Sequence, residues 1–315
     1  MRRAVICLLL AAAGCGGSGA GSSPSGSGAS SLPKLVRISV PGDPFAVAVA
    51  PDGAVWTATH DGMQVLRVDP ATRKVTARTP IQGNGTALAW ADGSIWAVGW
   101  KRALYRLHDP GGTIAQTIRL PRPDQMAAEG HNLWVTNWQR NSVSEVDATT
   151  GKPLTTVTAG RAPEGSEQGV AAVAFGNRSV WVVRGDLNSV YRIDPGNGRV
   201  QATIGVGLTP VSAAFGEGSL WVTNLQGNSV SRINPATNRV TATITTQAEP
   251  AYSAAAGGAV WVTNFDGDSL TRIDPATNHT REVRVCVGPA GIAAAGDAVW
   301  VACPNAHQLV RVTTR

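Results

Sequence analysis

A short motif returns along the whole chain: a polar residue or glycine, one residue of any kind, an apolar residue, a tryptophan, and a further apolar residue. Trp56, Trp96, Trp134, Trp181, Trp221, Trp261 and Trp300 mark it, at spacings of 40, 38, 47, 40, 40 and 39 residues. A period of roughly 40 residues matches one four-stranded blade of a β-propeller. A unit of that size cannot bury its apolar faces alone, so successive units must cover one another. Seven marks therefore predict an all-β, seven-bladed β-propeller with four-stranded antiparallel blades, filling residues 32–315 as one domain.

Within a unit the turns fall at fixed offsets. Residues 211–215 read as the innermost strand, and the corresponding Ala254-Ala255-Ala256 and Ala293-Ala294-Ala295 are small, as strands crowded around an axis require. Residues 219–224 carry the marker tryptophan, whose ring is large enough to fill the widening gap between blades. Residues 229–233 follow, then the turn Asn234-Pro235-Ala236-Thr237-Asn238, then a β-branched outer strand over 239–244. The chain runs out after a third strand at 308–313, while residues 35–40 precede the first blade without a partner. Pairing the two closes the ring and removes an exposed edge.

Trp221-Val222-Thr223-Asn224 and Trp261-Val262-Thr263-Asn264, each followed by a polar turn and Arg-Ile-Asn/Asp-Pro-Ala-Thr-Asn, resemble YVTN-type propeller repeats. The resemblance spans nearly the whole chain beyond the leader. It implies the fold, and it leaves function open, because these propellers include binding modules, scaffolds and enzymes. The repeats are also similar to those of streptogramin (virginiamycin B) lyases, which open a cyclic ester with a histidine base and magnesium. That likeness implies a C–O lyase as the alternative function, although the tetrapeptide Trp-Phe-Thr-Glu typical of those repeats does not occur here. A propeller similar to quinone-cofactor dehydrogenases is a further alternative. The preferred expectation is a non-catalytic module without cofactor or metal, binding an unidentified protein or small molecule as a monomer.

The amino terminus points to export. Met1-Arg2-Arg3 and the apolar residues 4–13 form a signal peptide too short to span a bilayer. Ala12-Ala13-Gly14-Cys15 resembles a bacterial lipobox, which implies a diacylglyceryl group on Cys15 and a place on the extracytoplasmic face of a membrane. An ordinary secretory signal is the alternative. Residues 1–15 are thus the signal segment, and 16–31, composed of Gly, Ser, Ala and Pro, are a flexible tether with a reach of roughly 20–24 Å. Removing Arg2 and Arg3 leaves 25 basic against 21 acidic side chains, a net charge of +4. The basic residues are spread over the repeats rather than clustered, which together with export excludes a nucleic-acid stripe. Of the four cysteines, Cys286 and Cys303 fall in the folded part, as a disulfide or as two separate thiols.

The arginine that recurs after six of the seven marker tryptophans, at Arg67, Arg106, Arg192, Arg232, Arg272 and Arg311, with Glu145 in its place in the third repeat, reads as part of the blade, paired across to a neighbouring turn. Ligand binding is expected where loops after the second strand meet the loops between blades. The candidates there are His60, Trp100, Asn137, Trp138, Arg184, Asn224, Asn264 and Phe265, with the rings as stacking surfaces. Glu164 and Glu167 join them from the segment that lengthens the third repeat. No catalytic or metal-binding residue is assigned.

Overall fold

Alanine dominates the strands nearest the axis because seven wedges converge there. In a computed structural model of the chain, residues 33–138, 140–160 and 169–313 are described, and they form seven four-stranded antiparallel sheets. Cys15, the tether, Glu164 and Glu167 lie outside the described residues. In six sheets the strands run from axis to rim in chain order, beginning for example with Pro44–Val49, Pro210–Gly216 and Pro250–Ala256. The seventh holds Ile292–Ala295, Ala298–Cys303 and Gln308–Thr313, and its outer strand is Leu35–Ser39 from the other end of the chain. Leu35 pairs with Val312 and Ser39 with Gln308. The closure is further tied by Arg37 Nη2, which donates to the carbonyl of Val285 at 2.9 Å.

The marker tryptophans lie flat between blades, and none is more than 3% exposed. Trp221, for instance, packs with Val260, Val262 and Ile273 of the following blade. Burial of such a ring removes roughly 150–250 Å² from water, so each seam is an apolar joint.

The recurring arginine stitches four of the seams. Arg192 donates from Nε to Ser179 Oγ at 2.9 Å, and from Nη1 to the Pro235 carbonyl at 2.6 Å and Asn238 Oδ1 at 2.9 Å in the next blade. Arg232 repeats this with Ser219, Pro275 and Asn278 at 3.0, 2.6 and 3.0 Å. Their guanidinium carbons stand 5.1 and 4.8 Å from the rings of Trp181 and Trp221. Arg67 reaches Asp109 at 2.7 Å and also Asp52, and Arg106 reaches the Thr149 carbonyl at 2.8 Å. These contacts leave the arginines committed to the scaffold.

Cys286 and Cys303 are joined, with an S–S distance of 2.00 Å and a Cα–Cα distance of 6.1 Å. Closing a loop of 17 residues contributes about 3 kcal/mol in the chain-entropy account. The bond fastens the loop between the sixth and seventh blades to the strand that bears Trp300.

Candidate functional site: the channel mouth on the loop face

Loops that follow the second strand and loops that join blades meet on one face, around the mouth of the axial channel. The inner strands leave a cavity of about 150 Å³ along the axis, lined by Thr86, Gln125, Met126, Ser212, Tyr252 and Ser253 among others. Phe45 and Tyr252 meet edge to face at this channel, with centroids 5.8 Å apart.

The aromatic candidates from adjacent blades two and three do come together. The ring centroids of Trp100 and Trp138 are 5.7 Å apart and their planes are inclined by 53°. Lys101 Nζ stands 3.6 Å from the Trp100 centroid and 4.4 Å from that of Trp138, and Arg122 Cζ lies 5.7 Å from the latter. The electron-rich ring faces hold these cations in place. Both tryptophans remain half-buried rather than sealed under loops. Phe265 stands apart in the sixth blade, half-buried and packed beside Gly288.

Four polar candidates need correction, because the structure turns them inward. Asn137, Asn224, Asn264 and Arg184 are all fully buried. Asn224 Nδ2 donates to Ser229 Oγ at 3.1 Å and Ser231 Oγ at 3.0 Å, and Asn264 does the same to Ser269 and Thr271 at 3.2 and 2.9 Å. Asn137 binds Ser142 and Ser144, each at 3.0 Å. The amide thus pins the turn between second and third strands and offers no donor to a ligand. Arg184 forms a two-pronged bond to Asp186, Nε to Oδ1 at 2.9 Å and Nη2 to Oδ2 at 2.7 Å, and Nη1 also holds the Ala159 carbonyl.

His60 sits under Phe45, with ring centroids 5.2 Å apart, and is 7% exposed. Its Nδ1 meets Asp61 Oδ1 at 2.8 Å and Asn84 Nδ2 at 2.9 Å. Asp43, His60 and Asp61 are, among the described residues, the one group whose three ligand atoms lie within 4.8 Å of one another. Asp43 already accepts from the backbone amides of Asp61 and Gly62 at 2.8 and 3.2 Å, so the cluster is explained as a capped turn.

Charged residues outside the candidate set add to the loop face. Lys101, Arg102, Arg119, Arg122 and Arg140 make the loop face basic over blades two and three, while Asp43, Asp61, Glu249, Asp266 and Asp268 make it acidic over blades one and six. Burial, and then the neighbouring Asp266, push the Glu249 carboxyl above the usual carboxylate range. Asp124, at the start of the inner strand of blade three, is pushed up to about 7 by burial, with the Thr86 hydroxyl, the Lys101 ammonium and Gln125 pulling the other way. The adjacent sequence Trp100-Lys101 was the available signal for the cation; an alignment of inner strands shows Tyr252 where the preceding blades carry Ser212 and Ala172.

A family model described as a repeat of unknown function, DUF6923, matches residues 208–306. No curated protein sequence matches the chain. Among solved structures, virginiamycin B lyase from Staphylococcus aureus is similar at 20% identity with a TM-score of 0.78, over 89% of this chain and 99% of that one. A streptogramin B lyase structure is similar at 18% identity with a TM-score of 0.77, over 90% and 98%. A chain of the mitotic checkpoint complex is similar at 11% identity with a TM-score of 0.75, over 93% and 96%. What these likenesses establish together is the architecture, a propeller of repeated sheets.

Proposed function

We propose that the chain is an exported, membrane-anchored, non-catalytic binding module that takes its ligand on the loop face. One observation carries this reading: Trp100 and Trp138 from neighbouring blades converge around Lys101 beside Arg122 at the channel mouth. Exposed aromatic edges amid donors of one charge suit a ligand that combines an apolar or ring-shaped body with negative charge. The acidic sector across the mouth rejects such a ligand from the other side and so sets its orientation.

The double variant Trp100→Ala/Trp138→Ala is expected to lose at least tenfold in affinity for the partner recovered by cross-linking and mass spectrometry on intact cells. Its melting temperature is expected to stay within about 4 °C of the parent, since both rings are half-buried and lie outside the sealed cores between the sheets. Undiminished binding would remove this sector from consideration. The anchor is tested separately: Cys15→Ser should move the protein from the membrane fraction to the soluble exported fraction, and retention in the membrane would refute lipidation at that residue.

The shape shared with the lyases motivates a second reading, a C–O lyase acting on a cyclic ester. The groups present give it little support. His60 is covered by Phe45 and engaged by Asp61 and Asn84, so its ring is not presented to the channel as a free base. The Asp43–His60–Asp61 group suits a magnesium ion poorly, because one of its three members is an imidazole and magnesium favours oxygen ligands. Ring opening of a streptogramin by the purified protein with magnesium, lost in His60→Ala, would establish the lyase and displace the binding reading.

A further inference from the structure

On the face opposite the loops, six blades carry a hairpin between third and fourth strands, and the seam from blade seven to blade one differs from the two seams in which the arginine contacts are most complete. In the seams from blade four to five and five to six, the arginine crosses to a proline carbonyl and an asparagine of the next hairpin, Pro235 with Asn238 and Pro275 with Asn278. Where blade seven meets blade one, the crossing residue is Arg311 and the receiving hairpin is Asp69-Pro70-Ala71-Thr72-Arg73. Arg73 stands in the place of the receiving asparagine. Ala298 stands in the place of Ser179 and Ser219, which steady Nε in the sibling blades.

Arg311 therefore lacks the serine and asparagine side chains that its siblings bind. It turns back within its own blade, Nη2 donating to Asp297 Oδ1 at 3.0 Å. The seam stays open as a cleft of about 790 Å³, lined by Arg73, Arg311, Trp300, Val36, Pro70 and Ala295 among others. No carboxylate is among its lining residues.

Backbone conformation sharpens the point. Arg73 has φ of 58°, matching 56° at Asn238 and 61° at Asn278. Asparagine is the side chain that tolerates this left-handed region most readily, so an arginine there is disfavoured locally as well as by the charge of Arg311. Asp297 answers Arg311 from within its own blade, and a ligand is expected to supply an acceptor between the two guanidinium groups, on the side of the cleft that faces Arg73.

We propose that the seam between blades seven and one binds a small organic carboxylate, held between Arg73 and Arg311, with a flat apolar body against the wall that includes Trp300. The guanidinium fork matches a carboxylate with two parallel hydrogen bonds, which an ammonium does not. The space falls within the roughly 300–1,000 Å³ typical of small-molecule pockets. Binding would give Arg311 and Arg73 the acceptor that asparagine supplies in the sibling seams.

The test is calorimetric titration of 2-naphthoate into the purified exported chain, beside 2-naphthalenemethanol, which has the same ring body without the charge. Saturable binding of the carboxylate is expected, with the alcohol at least tenfold weaker. Arg73→Asn restores the sibling hairpin and should bind 2-naphthoate at least tenfold more weakly, with a melting temperature equal to or above that of the parent. Three results would each overturn the proposal: no saturable binding of the carboxylate up to about 5 mM, equal affinity for the alcohol, or undiminished binding by a folded Arg73→Asn protein.

Discussion

Asp186→Ala is expected to destabilise the protein by about 3–5 kcal/mol, read as a lower urea midpoint at unchanged slope. Arg184 and Asp186 form a pair whose side chains are 0% and 2% exposed, and removing the carboxylate takes both prongs of its bond away from a buried guanidinium. The same guanidinium holds the Ala159 carbonyl, so loosening is expected first where the strand Pro153–Thr158 passes into the next blade. Replacing both partners with apolar residues of similar size, as in Arg184→Met/Asp186→Leu, should restore most of the loss, because desolvation of the two charges no longer has to be offset. If Asp186→Ala leaves the urea midpoint unmoved while ligand binding falls, Arg184 belongs to the ligand site after all and the placement described above is wrong.

Asp124 should make the protein lose stability as pH rises. Its carboxyl is pushed from 3.8 up to about 7 in the folded chain, so the folded state holds a proton that the unfolded state releases. A raised carboxylate favours folding below the unfolded value, and that advantage disappears as pH climbs to the folded value. The penalty therefore grows between about pH 4 and 7 and is complete above it. Asp124 as a residue keeps some surface exposure while burial dominates the shift of its carboxyl, so the full effect is taken as about 2–4 kcal/mol rather than more. Asp124→Asn should thus exceed the parent in stability by that amount at pH 8 and differ little at pH 4, measured by chemical denaturation at each pH. A constant difference across the range would show that the carboxyl stays ionised in the folded protein, held by Lys101.

The scaffold was largely legible because its signal is periodic. A tryptophan that must fill a gap between sheets recurs wherever a gap recurs, and the unpaired strands at the two ends of the propeller region pointed to one another. The rim was harder to read. Asn137, Asn224 and Asn264 occupy the last position of a strand, where a polar residue ordinarily signals exposure, yet both faces of every sheet here are covered by neighbouring blades. Alternation between wet and dry faces fails under those conditions, and the only clue to burial was the serine or threonine five and seven residues later that receives the amide. Lys101 was overlooked for a related reason: a lysine in a turn reads as solvated, and only the approach of Trp138 from the next blade reveals what it touches.

The direction of the closing strand sets which way the molecule looks out. Leu35–Ser39 enters at the hairpin side, beside Val312, and leaves toward the loops, beside Gln308. Lys34, just before it, also lies on the hairpin side, where its carbonyl accepts from the Thr313 amide. The tryptophan pair and the seam of Arg73 and Arg311 therefore look out from opposite faces of the disc, so that a surface meeting one leaves the other open.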